Sequence, residues 1–269
     1  MAVTLEMLRP VLPGHVAVSS ALGAGGQGAV FKGTCNGNPA AIKAFQATTD
    51  GRRIERECSL LSKLTCPHVV RLLEHFPVTL AGESVSIVVY EYHDGGDLMP
   101  HLQAAAPPLT EQQLVAIGAQ VGRGIETLWG SRIIHRDIKP ANIVRASDGR
   151  HLLVDVGFAR HLDLSEITAA GGAPGTRGFR SPEQARGRRA LTVHSDVYSL
   201  GVTLYCLAAK RHPFMGNDVL APTPLNTAPM KAARPLSDGL IKLVRQMMDF
   251  TPARRPSDLV ARFTALEVP

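Results

Sequence analysis

The run His135-Arg136-Asp137-Ile138-Lys139-Pro140-Ala141-Asn142 constrains this chain more than any other stretch. Pro140 cannot lie inside a regular helix, because it lacks an N–H and its ring clashes with the preceding turn. Two acceptor side chains, Asp137 and Asn142, and one cation, Lys139, therefore sit at fixed offsets in an irregular segment. Directly afterwards Ile143 to Arg145, the turn Ala146-Ser147-Asp148-Gly149 and the apolar run Leu152 to Val154 read as a hairpin. The residue before the first strand of an antiparallel hairpin lies near the residue after the second, so Asn142 and Asp155 are expected to be neighbours. Two hard oxygen ligands side by side suit Mg²⁺, with phosphate and water completing its octahedron.

Upstream of this run the chain is mainly β. Val16 to Leu22, Ala29 to Gly33, Ala40 to Phe45 and Val85 to Tyr90 are short β-type runs, and Asn36-Gly37 is a strong two-residue hairpin turn. One helix interrupts them over Arg52 to Leu64, with Ile54, Leu61 and Leu64 at helical spacing. After Gly95-Gly96 the pattern turns helical. Thr110-x-x-Gln113 is a capping box ahead of a stripe formed by Leu114, Ile117, Val121, Ile125 and Leu128, and further helices fit Asp196 to Ala209 and Leu236 to Phe250. The proline-rich stretch from Gly216 to Pro235 is the least regular part. The passage from Tyr90 to Gly96 is the natural hinge between a small β lobe and a larger helical one, and pockets commonly form where two lobes meet.

In the β lobe, Gly23-Ala24-Gly25-Gly26-Gln27-Gly28-Ala29-Val30 places glycines between two strands, where backbone N–H groups can approach phosphate oxygens without an intervening Cβ. Ala41-Ile42-Lys43 then puts a lysine inside an apolar strand, and Glu57 falls on the apolar stripe of the helix. Each charge alone would cost several kcal/mol to bury, so a mutual ion pair is expected.

Composition narrows the class. With 269 residues the chain forms one large or one bilobed unit, and a hydrophobic content of 45% with 19% charged residues is that of a folded chain. The formal net charge of +6 favours acidic partners without selecting one. No aromatic-basic surface pattern accompanies the charge, which argues against a nucleic-acid module. Cys35, Cys58, Cys66 and Cys206 lack C-x-x-C or zinc spacing and read as free thiols of a reducing compartment. The N-terminus has no signal-peptide pattern, and the most apolar run, Val197 to Ala209, is shorter than the ~20 residues of a membrane span. A cytoplasmic chain without a membrane segment is expected.

Taken in order, these motifs resemble the eukaryotic-like Ser/Thr protein kinase catalytic domain from about Val16 to Phe263, and Ser181-Pro182-Glu183-Gln184-Ala185-Arg186-Gly187 resembles bacterial members in particular. The resemblance implies an α+β, bilobed kinase-like fold over 1–269, with an N-lobe at 16–90, a hinge at 91–96, a C-lobe at 97–269 and the ATP site between the lobes. It implies that the loop carrying Gly23, Gly25 and Gly28, with Val30, Ala41, Glu91 and His93, binds ATP, and that Lys43, held by Glu57, contacts its α- and β-phosphates. Asp137 would orient the substrate hydroxyl and accept its proton, Lys139 would neutralise the transferring phosphoryl group, and Thr176 would hold its loop near Asp137. Asn142 and Asp155 would hold Mg²⁺ or Mn²⁺. Glu183 would pair with Arg255, and Asp196 would open the central helix. The implied activity is transfer of the γ-phosphate of ATP to protein serine and threonine hydroxyls, including the chain's own. A catalytically silent ATP-binding scaffold and a small-molecule kinase are the alternatives.

Asp155-Val156-Gly157 departs from the family by placing valine where phenylalanine is usual, which keeps the metal-binding carboxylate and loses bulk that in the family stacks against residues matching His135, Leu61 and Leu72. Arg136 beside the catalytic aspartate implies activation by phosphorylation of the following loop, with Thr168 as the candidate site and Ser165 as a second. Arg177, Arg180, Arg186, Arg188 and Arg189 cluster where the family reads the residue after the acceptor, so acidic-directed specificity is one reading and a solvated basic face the other. The prolines between Gly216 and Pro235 make a long docking helix there unexpected, and with the chain ending soon after Arg255 any sensor, membrane anchor or adaptor domain is expected to be absent from this polypeptide.

Overall fold

The computed structural model describes residues 3–25, 28–156, 175–187, 191–232 and 234–266. The chain divides into two compact units, one of residues 1–66 and 70–94 and one of residues 67–69 and 95–269.

The first unit is a five-stranded antiparallel sheet. Its strands are β1 (Val16–Gly25), β2 (Gly28–Cys35), β3 (Asn38–Phe45), β4 (Leu72–Leu80) and β5 (Glu83–Glu91), in spatial order β1-β2-β3-β5-β4. Between β2 and β3, Asn36 and Gly37 take φ of 50° and 78° with Cys35 opposite Asn38, the left-handed pair that a two-residue hairpin requires. The β4–β5 hairpin uses the same device at Ala81 and Gly82, with φ of 50° and 83°. Helix α1 (Leu5–Leu8) sets Leu8 into the apolar face formed by Val16, Val18, Phe31, Ile42 and Ile87. Helix α2 (Gly51–Leu61), capped by Asp50 accepting from the Arg52 N–H at 3.0 Å, packs on β4 and β5 through Ile54, Cys58 and Leu61. It ends three residues before the periodicity predicts.

The second unit is helical. Helix α3 (Glu111–Gly130) begins at the expected capping box, with Thr110 and Gln113 satisfying each other's backbone N–H groups at 3.1 and 2.8 Å. It packs against α5 (Val193–Ala209) and α8 (Leu259–Thr264). Gly118 is required at that seam, since a Cβ there would stand 2.4 Å from the Phe263 ring. The apolar run from Val197 onward lies in α5, which is buried on every side apart from His194 and Ala209 near its two ends, so it is a core helix. Among the described residues no helix is long and apolar enough to cross a membrane. A short α4 (Pro182–Ala185) precedes α5. Among the described residues the proline-rich stretch holds one helix, α6 (Ala228–Ala232), and α7 (Asp238–Met247) turns Leu240, Leu243, Val244 and Met247 inward.

The hairpin β6 (Ile143–Arg145) and β7 (His151–Leu153) belongs to this unit, and so do residues 67–69. Val69 bridges Leu153 in parallel, the Leu153 N–H donates to the His68 carbonyl at 3.0 Å, and Arg150 donates to the Pro67 carbonyl at 2.8 Å.

Candidate active site

In the first unit, β1 and β2 carry the glycine-rich loop, with Gly25 and Gly28 directly opposite each other. The glycines answer different demands. A Cβ at Gly23 or Gly25 would meet nothing within 4 Å, whereas at Gly28, whose φ is 146°, it would stand 2.0 Å from the Ala44 carbonyl oxygen. Gly28 is thus fixed by sheet packing, and Gly23 and Gly25 leave their backbone open to approach.

Val30 and Lys43 face each other across β2 and β3, and Ala41 stands opposite Tyr90 on β5. Lys43 is 5% exposed, and its Nζ lies 5.0 Å from the centroid of the Phe45 ring. Glu57 is buried on α2 and accepts from Arg53 Nε at 3.1 Å, one turn earlier. Where β5 ends, the Glu91 carboxylate accepts the Arg71 N–H at 3.0 Å and lies 3.2 Å from His93 Nε2.

In the second unit the sequence-predicted residues converge on Asp137. Its Oδ2 accepts from Lys139 Nζ at 2.9 Å and Asn142 Nδ2 at 3.1 Å, and its Oδ1 accepts from the Thr176 N–H at 2.7 Å. Lys139 also donates to Thr176 Oγ1 at 2.6 Å, so one ammonium ties the segment from His135 to Asn142 to the segment carrying Thr176. Burial works to raise the Asp137 carboxyl, but the hydrogen bonds and charge of Lys139 and Thr176 outweigh it and hold the group below its ordinary value. Asp137 is therefore a carboxylate at neutral pH.

Asn142 directs its amide nitrogen at Asp137, with a further bond of 2.7 Å to the Asp137 carbonyl, and this turns its Oδ1 away as a hard acceptor. The Val154 N–H donates to the Asn142 carbonyl at 3.0 Å, which brings Asn142 alongside the residue next to Asp155, as the hairpin argument requires. Asp155 is half-buried and has φ of 51°, a left-handed conformation that reverses the chain at the carboxylate. An amide oxygen and a carboxylate are the donor set that Mg²⁺ or Mn²⁺ accepts. Val156 is 1% exposed, so the smaller side chain is fully packed.

A deeper layer holds this loop. Asp196, in the first turn of α5, accepts the backbone N–H groups of His135 at 2.7 Å and Arg136 at 2.8 Å. Arg136 has φ of 68°, and those two amides clamp the turn. Gln184 Nε2 donates to the Arg136 carbonyl at 3.0 Å, and His135 Nε2 lies 3.1 Å from the Val154 carbonyl. Glu183 and Arg255 form a bidentate pair at 2.7 and 2.9 Å, and Ser195 donates to Glu183 Oε1 at 2.8 Å. Sequence reasoning missed Gln184, Ser195 and Asp218. Only the capping pattern Ser181-x-x-Gln184 hinted at one of them.

The described arginines of the basic cluster are used structurally. Arg177 donates to Asn217 Oδ1 at 2.8 Å, Arg180 donates to the Gly175 carbonyl at 2.7 Å and sits 3.5 Å from Asp218, and Arg186 bonds the Leu220 carbonyl and covers the Phe250 ring. Thr168, Ser165, Gly157, Arg188 and Arg189 lie outside the described residues.

The profile of the protein kinase domain family matches residues 16–266. The chain is a protein kinase domain. This kinase domain is 33% identical over 220 residues to a protein of Corynebacterium efficiens named as a probable serine/threonine-protein kinase, covering 78% of this chain and 33% of that protein. It is 31% identical over 262 residues to the probable serine/threonine-protein kinase PkwA of Thermomonospora curvata, covering 94% of this chain and 34% of that one. The kinase domain thus spans about a third of the length of these curated relatives. Its fold is similar to the crystal structure of the Mycobacterium tuberculosis PknI kinase domain, with a TM-score of 0.73 at 23% identity over 96% of this chain and 97% of that one. A β-sheet N-lobe and a helical C-lobe are the parts of that fold seen here.

Proposed function

We propose that this kinase domain transfers the γ-phosphate of ATP to serine and threonine hydroxyls of protein substrates in the cytoplasm. The observation that carries this reading is Lys139 Nζ bonded at once to Asp137 Oδ2 at 2.9 Å and Thr176 Oγ1 at 2.6 Å. It supplies a carboxylate to receive an acceptor hydroxyl and, beside it, a cation to meet developing phosphoryl charge.

In this reading Asp137 is a positioning acceptor. With its pKa held low it is a weak base, so it orients the hydroxyl and takes the proton late, as the oxygen–phosphorus bond forms. Asn142 Oδ1 and Asp155 would hold Mg²⁺ or Mn²⁺, which when bound screens the phosphate charge. Lys43, supported by Glu57, would meet the α- and β-phosphates. The backbone around Gly23 and Gly25 would cover the phosphates, Val30 and Ala41 would line the base, and the backbone from Glu91 to His93 would face it. The named relatives, probable serine/threonine kinases, and the complete set of polar groups support this reading over a silent scaffold.

The test incubates the purified chain with Mg²⁺, γ-labelled ATP and a protein mixture, beside an Asp137→Ala control. Phosphoserine and phosphothreonine that vanish in the control are expected. Phosphotyrosine as the main product, or ATP binding without transfer, overturns the proposal. Phosphorylation of Thr168, read by Arg136, belongs to the same reading, and unchanged activity in Thr168→Ala removes that part of it.

A further inference from the structure

In the first unit, three side chains of different chemistry converge away from the glycine-rich loop. His15 directly precedes β1, Cys35 ends β2 and Glu74 stands on β4. His15 Nε2 lies 2.9 Å from Glu74 Oε1, Cys35 Sγ lies 3.8 Å from the same oxygen, and the three ligand atoms lie within 4.8 Å of one another.

The backbone holds the group in place. Val16 pairs with Cys35, and the Asn36 N–H donates to the His15 carbonyl at 2.8 Å, so His15 and Cys35 are registered by the sheet. A bulge between Leu72 and Glu74 re-aims β4 at this point. The thiol side is closed, with Cys35 5% exposed, while the His15 and Glu74 side chains are 42% and 31% exposed and leave a path from solvent.

We propose that His15 Nε2, Cys35 Sγ and the Glu74 carboxylate form a zinc-type divalent-metal site, with solvent as the fourth ligand. Imidazole, thiolate and carboxylate are the three ligand classes that Zn²⁺ takes. At metal–ligand distances of about 2.0–2.3 Å a tetrahedral ion spaces its ligand atoms by about 3.3–3.5 Å. The two spacings to Glu74 Oε1, 2.9 and 3.8 Å, bracket that range, and the His15–Cys35 pair, within 4.8 Å, closes onto the ion as it enters. On binding, the Zn–S bond forms as the thiol proton leaves to water. Asn36 Nδ2, 3.7 Å from Cys35 Sγ, donates to the sulfur from outside the coordination sphere. Burial first, then Glu74, push the Cys35 pKa up, so without a cation the thiol keeps its proton beside the carboxylate. The proposal does not depend on the kinase activity.

Co²⁺ is the probe, because a thiolate ligand gives an intense ultraviolet charge-transfer band and a tetrahedral site gives visible absorption. Titration of the full chain should give one Co²⁺ per molecule with both signals, Zn²⁺ should displace it, and Zn²⁺ should raise the unfolding temperature. The band should be lost in Cys35→Ser. In His15→Ala, at an exposed position that leaves the fold intact, affinity should fall by more than the roughly 10–100-fold that losing even an outer-sphere partner costs. Asp155→Ala should leave both signals in place. Absence of the band in the unaltered chain, its survival in Cys35→Ser, or wild-type affinity in His15→Ala each overturns the proposal.

Discussion

Two polar clusters lie in the helical unit, and they are built on opposite terms. Around Asp137 the ion pair with Lys139 keeps 26% and 24% of its side chains exposed, and each partner serves several others. Around Glu183 the pair with Arg255 is 7% and 0% exposed, and every Arg255 donor is directed, to Glu183 and to the carbonyls of His194, Asp249 and Phe250. Burial works to raise the Glu183 carboxyl, and Arg255, its own backbone and Ser195 outweigh that and keep it below its ordinary value. The first cluster keeps a face toward solvent. The second has no such face and serves to fix backbone. The two clusters differ in what they leave accessible as much as in what they bond.

The sharpest way to break the comparison is to remove one group from each cluster and read both activity and stability. Asp137→Asn keeps the shape and removes the charge, so phosphoryl transfer should fall by on the order of 10²–10⁴-fold, while the loss of the Lys139 pairing lowers the urea midpoint only modestly because the pair is partly exposed. Arg255→Leu should do the reverse. It leaves Glu183 charged and unpaired in the interior, with an expected loss of about 3–5 kcal/mol in unfolding free energy. Adding Glu183→Gln to it should recover part of that loss. If Arg255→Leu unfolds at the wild-type midpoint but loses activity, the brace is part of the chemistry and the contrast fails.

These two clusters differ in how legible they are from the sequence, and so do the elements around them. Asp137, Lys139 and Asn142 announce themselves because a proline and fixed offsets leave the segment no regular structure, and Thr110-x-x-Gln113 marks the start of α3 because capping is a local hydrogen-bond pattern. Asn36-Gly37 is legible for the same reason. By contrast β4 escapes, since Glu74, His75 and Pro77 break its alternation. It is stabilised as an edge strand by β5, where Pro77 stands opposite Ser86. Its turn escapes too, because Ala81 carries no signal for the left-handed φ that the hairpin imposes. Ser195, Gln184 and Asp218 are tertiary partners drawn from distant positions, and the structural use of Arg177, Arg180 and Arg186 follows from Asn217, Asp218 and Leu220, which no local pattern connects to them.

Within the accessible cluster, Thr176→Val sharpens the contrast further. It deletes the Oγ1 acceptor of Lys139 and keeps the backbone N–H that Asp137 uses. Losing a hydrogen bond to a charged group is worth about 1.5–3 kcal/mol. Transfer to a serine peptide should therefore slow by roughly 10–100-fold, with a loss of unfolding free energy no larger than that bond is worth. A slowing as deep as that of Asp137→Asn would mean that Thr176 does more than hold the lysine.

The smallest effect comes from His151, which follows the rule of the buried brace without its compensation. Burial first, then the electrostatic influence of Arg145, His101 and His68, brings its pKa down to about 4. Its Nδ1 and backbone N–H both lie against Gln120 Oε1, at 3.0 and 2.8 Å. An unfolded chain has an ordinary histidine near 6.5 and takes up the proton first, so between about pH 6.5 and 4 each step of acidification favours unfolding. Above that window the group is neutral in both states, and below it protonated in both, so its slope ends at either side. His151→Gln removes the titration, and the plot of unfolding free energy against pH should flatten between those limits. An unchanged slope would mean that His151 keeps an ordinary pKa in the folded chain, and that burial does not decide its charge.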